Sequence, residues 1–348
     1  MKYKNSVLEK VAERTIAMNL KTSRPSRFLG DWFESWDWGP GVGVYGLLCA
    51  YRKSGDKHIF QALCDYVDNN LKRNVRKSVN STTPCLVALE LYRLTGKEKY
   101  LAIVNEYIDF MMQKCARTND GLVVHGGVDM DCDNEVWVDT MFMAGIFLIE
   151  AGVRLSRDEL IKEGIFQLTG HLKKLQDESG LFYHGFSYRK KSFIGCLWAR
   201  GNAWATVSVA VAVNLLKDVP GFAEQIKEMA SYIQKQCVYL RYMQDPQFGG
   251  FYTVMNDTSS YMETSATAGF AYGIKEGIRL GYLDENLFGA VAEKAEKYVL
   301  SCIDHEGGVR ETSAGTGVQI DYTWYKLVRK DELMPWGQGL ALMMLTFE

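Results

Sequence analysis

The sequence has no excess of charge of one sign and no long apolar run. Its 40 lysines and arginines nearly balance 42 aspartates and glutamates, for a formal net charge of −2. This balance, with no basic cluster, gives no reason to expect a nucleic acid or a membrane surface as partner. No apolar run is long enough to span a bilayer, and the charges scattered through residues 1–20 exclude the apolar core of a signal peptide. We therefore expect a cytoplasmic protein.

The motifs of disulfide, metal and nucleotide chemistry are also missing. The eight cysteines form no Cys-x-x-Cys pair, and most lie in apolar helical contexts, so we interpret them as reduced thiols. There is no zinc signature, nucleophile elbow, P-loop or dinucleotide fingerprint. The acidic run 129–135 resembles the start of a calcium loop, but it lacks the glycine at the sixth position and has Thr140 at the twelfth. We interpret that run as a solvated loop and predict no metal or organic cofactor.

What the sequence has in quantity is helical periodicity of two kinds. Amphipathic segments with one apolar face lie at about 4–20, 56–73, 97–115, 157–175, 221–240 and 284–302. Segments that are apolar nearly all round lie at about 40–53, 82–95, 138–152, 203–217, 265–281 and 337–347. The two kinds alternate strictly. A Gly-aromatic pattern, such as 179-SGLFYHG-185, recurs before the apolar segments at intervals of about 60–70 residues, which indicates a degenerate repeat.

Six enclosed helices that alternate with six outer helices predict an all-α fold, a closed (α/α)6 barrel over residues 1–348 as a single domain. An open α-solenoid is built from the same two-helix unit and is the alternative. We favour the barrel because a solenoid needs polar caps at its ends, whereas the last segment, GLALMMLTFE, is apolar.

In such a barrel the N-termini of the inner helices open into one bowl, where free N–H groups and helix dipoles favour an anion. The residues at these positions are rich in tryptophan, carboxylates and amides. They are Trp36, Asp37 and Trp38; Asn80, Ser81 and Thr82; Trp137 and Asp139; Trp198, Arg200, Asn202 and Trp204; Glu263, Thr264 and Ser265; and Trp336 and Gln338. Aromatic faces with polar groups in a concave site predict a sugar as ligand.

Two of these residues carry the chemistry of the prediction, and each has a purely structural alternative. Arg200 can clamp a carboxylate bidentately, or it can cap a loop while the tryptophans around it belong to the core. Asp139 has apolar neighbours, which would raise its pKa and let it hold a proton near neutrality, or it can be a helix N-cap. His125 and His184 occupy matching Gly-Leu-x-x-His positions, and His184 is the better site candidate.

Three segments together resemble a known family. V-W-V-D-T-M-F-M-A at 136–144, G-L-F-Y-H-G-F at 180–186 and W-A-R-G-N-A-W at 198–204 look like the unsaturated rhamnogalacturonyl hydrolases of glycoside hydrolase family 105, relatives of the unsaturated glucuronyl hydrolases of family 88. The resemblance implies that Asp139 is the general acid/base. The substrate-binding positions that it implies are Trp36, Met143, His184, Trp198, Arg200 and Trp204.

The sequence departs from this family at one position. The family commonly has a second aspartate at the start of the second inner helix, where this chain has Asn80. Asn80 can bind a hydroxyl group or water, but it cannot share charge with Asp139. Asp37 and Glu263 are the other carboxylates that could act as its partner.

The resemblance implies a hydrolase that removes a 4,5-unsaturated uronic acid from small lyase-generated oligosaccharides, with rhamnogalacturonan disaccharides as the leading substrates. An unsaturated glucuronyl hydrolase is the near alternative. A sugar epimerase or isomerase would need His125 and His184 to face the sugar together, and a non-catalytic sugar-binding protein is suggested only by Asn80. We expect a monomer or a weak homo-oligomer.

Overall fold

The computed structural model describes residues 2–18, 35–73, 77–126 and 134–347, which contain twelve α-helices in alternating outer and inner positions. The outer helices are α1 (Lys2–Ala17), α3 (Lys57–Asn70), α5 (Glu98–Asp109), α7 (Asp158–Leu175), α9 (Ala223–Met243) and α11 (Glu285–Ser301). The inner helices are α2 (Trp38–Ser54), α4 (Cys85–Thr95), α6 (Ile146–Leu155), α8 (Ala199–Leu216), α10 (Thr264–Arg279) and α12 (Pro335–Leu345). The predicted alternation is confirmed. None of the helices within these ranges is long and apolar enough to cross a membrane.

Local sequence accounts for the tight turns between inner and outer helices. Gly55 ends α2 in the left-handed conformation at φ 68°, a backbone angle that glycine adopts without steric cost. The next residue, Asp56, caps α3 by accepting the backbone N–H of His58 over 2.7 Å. The same arrangement of a left-handed glycine recurs at Gly96 after α4.

The ring of inner helices is closed by contact between the first and the last of them. Gly46 in α2 and Gly339 in α12 lie against each other, and a Cβ atom on either would overlap the backbone of the opposite helix. Side chains of α12, such as Leu340 and Leu342, are fully buried. This closure confirms the (α/α)6 barrel and excludes the open solenoid, because an apolar terminal helix is covered here by the first inner helix.

The structure corrects two details and leaves one untested. A small antiparallel sheet, which the all-helical pattern did not predict, joins β1 (Glu135–Trp137), β2 (Gly185–Ser187) and β3 (Ser192–Ile194) in the order β1-β2-β3. Helix α8 begins at Ala199, four residues earlier than predicted. The glycine at 201 permits this start, since a Cβ there would crowd Val138 and Trp198. Most of the acidic run 129–135 lies outside the described residues.

The ends of the inner helices opposite to the bowl carry a buried ionic cluster. Arg52 from α2 binds Glu150 from α6 over 3.0 Å and Glu90 from α4 over 3.3 Å. The two carboxylates are 1% and 3% exposed. Burial alone would raise the pKa of Glu90, but Arg93 and Arg52 outweigh it and lower that pKa to about 2. These pairs join three inner helices at the barrel floor.

Candidate active site

Asp139 and His184 meet at the open end of the barrel. Asp139 lies just before a π-helical turn, Met141–Gly145, that leads into α6, and His184 lies just before β2. The backbone N–H of Val138 donates to the His184 carbonyl oxygen over 2.9 Å, which holds the two segments side by side. Asp139 Oδ2 lies 3.3 Å from His184 Nε2. Neither atom has a well-aligned hydrogen bond within the described residues, and both are buried.

The His184 ring is held on three sides. Its plane stacks on Trp198, with ring centroids 4.3 Å apart, and the edge of Trp137 packs against it at 5.4 Å. Its Nδ1 atom lies 2.6 Å from the hydroxyl oxygen of Tyr325. His184 is fully buried, so the orientation of its ring is determined by these neighbours.

His125 lies on the other side of Trp137. The two rings stack with centroids 4.7 Å apart and planes inclined by 15°. His125 Nδ1 is 2.9 Å from the hydroxyl of Thr140, and only 3% of the residue is exposed. Burial lowers the pKa of His125 to about 4, despite the opposing charge of Asp139. His125 is therefore a neutral residue that supports the Trp137 wall.

The pKa of Asp139 is shifted in the direction opposite to that expected. Burial alone would raise this pKa, but the contact with His184, with smaller contributions from His125 and Arg200, holds it below the ordinary value of 3.8. The expectation of a raised pKa is wrong for the ligand-free protein. That expectation was based on the apolar residues next to Asp139 in the sequence, whereas His184 and Arg200 are brought beside Asp139 only by the fold.

Arg200 is fully buried and its terminal nitrogens already have protein partners. Nη1 donates to the carbonyl and hydroxyl oxygens of Ser313 and contacts Glu263 at 3.4 Å, and Nη2 donates to the Ala314 carbonyl oxygen over 2.8 Å. The guanidinium also lies 4.6 Å from the Trp198 ring centroid. These contacts are those expected if Arg200 caps a loop. Its role in binding a substrate carboxylate stays a prediction.

Trp204 and Trp36 are buried tryptophans that pack on other aromatic rings. Trp204 is fully buried in α8 and packs on Phe142, with ring centroids 4.8 Å apart. Trp36 stacks on Tyr66 of outer helix α3 at 6.0 Å and borders a cavity of about 420 Å³ that Lys77 and Glu106 also line. Their predicted contacts with a sugar stay predictions.

Met143 links the third inner helix to the second. Its sulfur accepts the Thr83 hydroxyl over 2.8 Å, and its backbone oxygen accepts the hydroxyl of Thr82. Asn80 begins the 3-10 turn Asn80–Thr82 in front of α4, and its carbonyl oxygen accepts the Thr83 hydroxyl over 3.2 Å. Met143 and Asn80 are therefore connected through Thr83, and the side chain of Asn80 is half-buried.

The two remaining carboxylates have different roles. Glu263 is fully buried and caps α10 by accepting the N–H of Ala266 over 2.6 Å; it also accepts the N–H of Ser313. These contacts make it a structural partner of Arg200. Asp37 caps α2 through the N–H of Trp38 over 2.8 Å, and burial raises its pKa. Asp37 remains a carboxylate at the bowl that can hold a proton more readily than Asp139.

The sequence interpretation missed Tyr325. It lies in a 3-10 helix, Tyr322–Leu327, within the connection between α11 and α12, and it is fully buried between Trp198 and His184. The available signal was the aromatic run 322-YTWY-325, which stands outside the repeat pattern. Nothing local shows that Tyr325 alone in this run is buried, while Tyr322 and Trp324 are exposed.

Metal chemistry has no evident site in the described ranges, where no group of three or more His, Cys, Asp or Glu residues could hold an ion. The seven cysteines in these ranges are free thiols. The buried ones behave as apolar core residues, and burial raises the pKa of Cys49 to about 12.

Comparison with known proteins finds relatives along nearly the whole chain. Residues 7–347 match the model of Glycosyl Hydrolase Family 88. The unsaturated rhamnogalacturonyl hydrolase YesR of Bacillus subtilis (strain 168) is 28% identical over 347 residues, 98% of this chain and 93% of that protein. A crystal structure of a possible GH105 member from Salmonella enterica serovar Paratyphi A has a TM-score of 0.91 and 29% identity, and the match covers 99% of this chain and 92% of that one.

A more distant relative has the same fold. The unsaturated glucuronyl hydrolase of Bacillus sp. GL1 has a TM-score of 0.68 at 19% identity, over 90% of this chain and 86% of that one. The family match spans nearly the whole chain and confirms the resemblance seen in the three sequence segments. The protein is therefore a glycoside hydrolase that belongs to glycosyl hydrolase family 88.

Proposed function

We propose that this protein removes the 4,5-unsaturated uronic acid from the non-reducing end of lyase-generated oligosaccharides, with Asp139 as general acid/base. The contact of Asp139 Oδ2 with His184 Nε2 carries the proposal, since it is a carboxylate–histidine pair with unfilled hydrogen-bonding capacity at the open end of the barrel. The full-length similarity to YesR, an unsaturated rhamnogalacturonyl hydrolase, supports the reaction class. Rhamnogalacturonan disaccharides are the proposed substrates, and unsaturated glucuronyl disaccharides are the alternative.

The reaction needs only one carboxyl group. Protonated Asp139 gives its proton to C4 of the vinyl ether, and the positive charge that develops at C5 is shared with the ring oxygen. The Asp139 carboxylate then takes a proton from water as the water oxygen bonds to C5. The resulting hemiketal opens the ring and releases the neighbouring sugar. A conventional glycosidase needs two carboxyl groups that flank the bond, so Asn80 is compatible with hydration.

Substrate binding would prepare Asp139 for this role. In the free protein its pKa lies below 3.8, so the carboxylate predominates at neutral pH. A bound uronate brings a second negative charge and excludes water, and both effects raise the pKa of a neighbouring carboxyl group. The enzyme then takes up a proton as it binds the substrate.

The isomerase alternative is less compatible with the geometry. It needs two histidines that face the sugar, but His125 is buried behind Trp137 and bound to Thr140. We further propose a cytoplasmic enzyme without a metal or organic cofactor, active as a monomer or a weak homo-oligomer. Its substrates would be small imported oligosaccharides.

The ultraviolet absorbance of the double bond conjugated to the uronate carboxylate tests this function. We expect the purified protein to abolish that absorbance in unsaturated rhamnogalacturonan disaccharide faster than in unsaturated glucuronyl disaccharides. The opposite preference would assign the glucuronyl alternative. Binding of the panel without any loss of absorbance would contradict the enzyme and favour a sugar-binding protein.

A further inference from the structure

The hydroxyl of Tyr325 is connected to the Asp139 carboxylate through a single imidazole ring. Tyr325 Oη lies 2.6 Å from His184 Nδ1, and His184 Nε2 lies 3.3 Å from Asp139 Oδ2. Both Tyr325 and His184 are fully buried. The three side chains come from three separate segments of the chain, so the fold creates this connection.

The contacts of the Tyr325 oxygen determine where its proton points. This oxygen accepts the backbone N–H of Gln319 over 3.3 Å. Because that donor approaches the oxygen's lone pairs, the hydroxyl's own proton is directed to the acceptor 2.6 Å away, His184 Nδ1. Burial raises the pKa of Tyr325, which keeps the hydroxyl protonated. With Nδ1 acting as acceptor, the ring proton of His184 lies on Nε2, the atom that faces Asp139.

We propose that Tyr325 is a positioning residue for proton transfer by Asp139, because its hydroxyl holds His184 in the tautomer that presents Nε2–H to the carboxylate. This inference rests on the proposed function. After Asp139 gives its proton to C4, the Nε2–H group stabilises the carboxylate that remains. When Asp139 takes the proton from water, the acid form of Asp139 is restored, and His184 loses no proton in the cycle.

The chain is shaped locally to receive the Tyr325 hydroxyl. Gly195 has φ +74°, and a Cβ atom there would overlap that hydroxyl and crowd the Cβ of His184. The segment that carries Tyr325 begins at Ser313 and Ala314, whose carbonyl oxygens accept from Arg200. Arg200 therefore also holds the start of the segment that brings Tyr325 to His184.

Few other charged or titratable groups could take over the positioning of His184 by Tyr325. Asp139 is influenced by His184, by His125 from the strand side and by Arg200 from α8. His125 is bound to Thr140, and Arg200 is bound to Glu263 and Ser313. Tyr325 is consequently the described side chain that hydrogen-bonds the His184 ring directly.

Nitrogen-15 NMR of histidine-labelled protein tests the assignment without any turnover. Long-range proton–nitrogen correlations show which imidazole nitrogen carries the proton, and a His184→Gln variant identifies the His184 signals. We expect the proton on Nε2 in the ligand-free wild-type protein. A proton on Nδ1 would overturn the inference. Because no substrate is involved, this result is separate from the outcome of the absorbance assay that tests the proposed function.

The Tyr325→Phe variant tests the consequence for catalysis. It keeps the ring and removes the donor, so His184 can exchange between tautomers and the Nε2 lone pair can face Asp139. We expect its nitrogen signals to move toward the average of the two tautomers and kcat to fall about tenfold with KM little changed. We also expect the pH above which kcat/KM falls to move upward, because a carboxylate that loses a donor has a higher pKa.

Tyr252→Phe is the matched control, since it removes a hydroxyl that donates to Asp245 over 2.6 Å, away from His184. We expect it to leave the His184 signals, kcat and the pH profile unchanged. If Tyr325→Phe lowers thermal stability but leaves the His184 tautomer and the pH profile as in the wild type, Tyr325 is only a structural residue and the inference fails. If that variant does not fold, the NMR measurement of the His184 tautomer in the wild-type protein still tests the inference.

Discussion

At the scale of residues, catalysis depends on how a single carboxylate changes its protonation. Asp139 is buried beside His184, yet its pKa is low because the contact with His184, with smaller contributions from His125 and Arg200, outweighs burial. This arrangement separates the two halves of the reaction. A bound anion favours the protonated form that starts it, and His184 favours the carboxylate that completes it.

The Asp139→Asn variant should bind substrate but lose turnover. An amide of nearly the same shape neither gives a proton to C4 nor takes one from water, and general acid–base groups contribute roughly a hundredfold to ten-thousandfold to rate. The absorbance assay measures kcat, and calorimetric titration measures affinity. Glu263→Gln is unsuitable as a control because Glu263 caps α10. Glu159→Gln serves instead, since Glu159 lies on outer helix α7 with its side chain 57% exposed and paired with Arg157. Wild-type turnover by Asp139→Asn would refute the proposed mechanism.

The low pKa of free Asp139 also predicts a difference between two pH profiles. The value of kcat/KM reports the free enzyme, where loss of the Asp139 proton begins below pH 3.8. The value of kcat reports the complex, where the bound uronate raises the pKa. We therefore expect kcat to fall at a higher pH than kcat/KM.

The carboxamide analogue of the same disaccharide is the control for that prediction. It lacks the negative charge, so the separation between the two profiles should shrink. Coincident profiles for the natural substrate would show that substrate charge does not raise the pKa of Asp139.

At the scale of helices, the site depends on how closely the inner helices approach. Gly339 brings α12 onto α2 and closes the ring. We expect Gly339→Ala to lower the free energy of unfolding by about 1–3 kcal/mol or more, because the added methyl group must push the two backbones apart. Chemical denaturation measures this loss.

Gly289→Ala is the matched control for Gly339→Ala. Gly289 lies inside outer helix α11, where an added Cβ would meet only the Glu285 side chain at an ordinary distance. Alanine is the better helix former, so this change should stabilise the protein by up to about 1 kcal/mol. Equal effects of the two substitutions would mean that helix propensity, not close approach, explains the glycine at 339.

At the scale of the whole molecule, the two ends of the barrel use charge differently. The open end places Asp139 beside donors that have unfilled capacity. The opposite end pairs Arg52 with Glu90 and Glu150. Removal of one partner from such a buried cluster leaves an uncompensated charge, which is more costly than the loss of a surface ion pair.

We expect Arg52→Met to lower the free energy of unfolding by about 3–5 kcal/mol at neutral pH. Part of this loss should depend on pH. Because the folded pKa of Glu90 is depressed to about 2 from 4.5, its pairing stabilises the protein above pH 4.5, and that contribution disappears as pH falls toward 2. The difference between wild type and variant, followed by denaturation at several pH values, should therefore shrink in acid.

Arg157→Met is the control for Arg52→Met. Arg157 pairs with Glu159 on the surface, with the side chains 40% and 57% exposed, and such pairs contribute about 0–1 kcal/mol. A comparable destabilisation by both changes would contradict a special role for the buried cluster.

Much of the architecture was predictable because it depends on local patterns. The one-faced helix 98–109 and the all-apolar helix 199–216 reveal their positions through periodicity alone. The position of Asp139 at the start of an inner helix follows from the same reasoning. The start of α8 was misplaced because Gly201 reads locally as a break, although it serves close packing against Val138.

By itself, the sequence determined the alternation of helices, the barrel and the family, since hydrophobic periodicity and short motifs are encoded by neighbouring residues. Only the tertiary structure decided the partners of the charged groups. Arg200 meets Ser313, and His184 meets Tyr325 and Asp139, across long stretches of chain. Contacts of this kind follow from how the helices pack around the closed ring, and they set both the direction of the Asp139 pKa shift and the tautomer that we assign to His184.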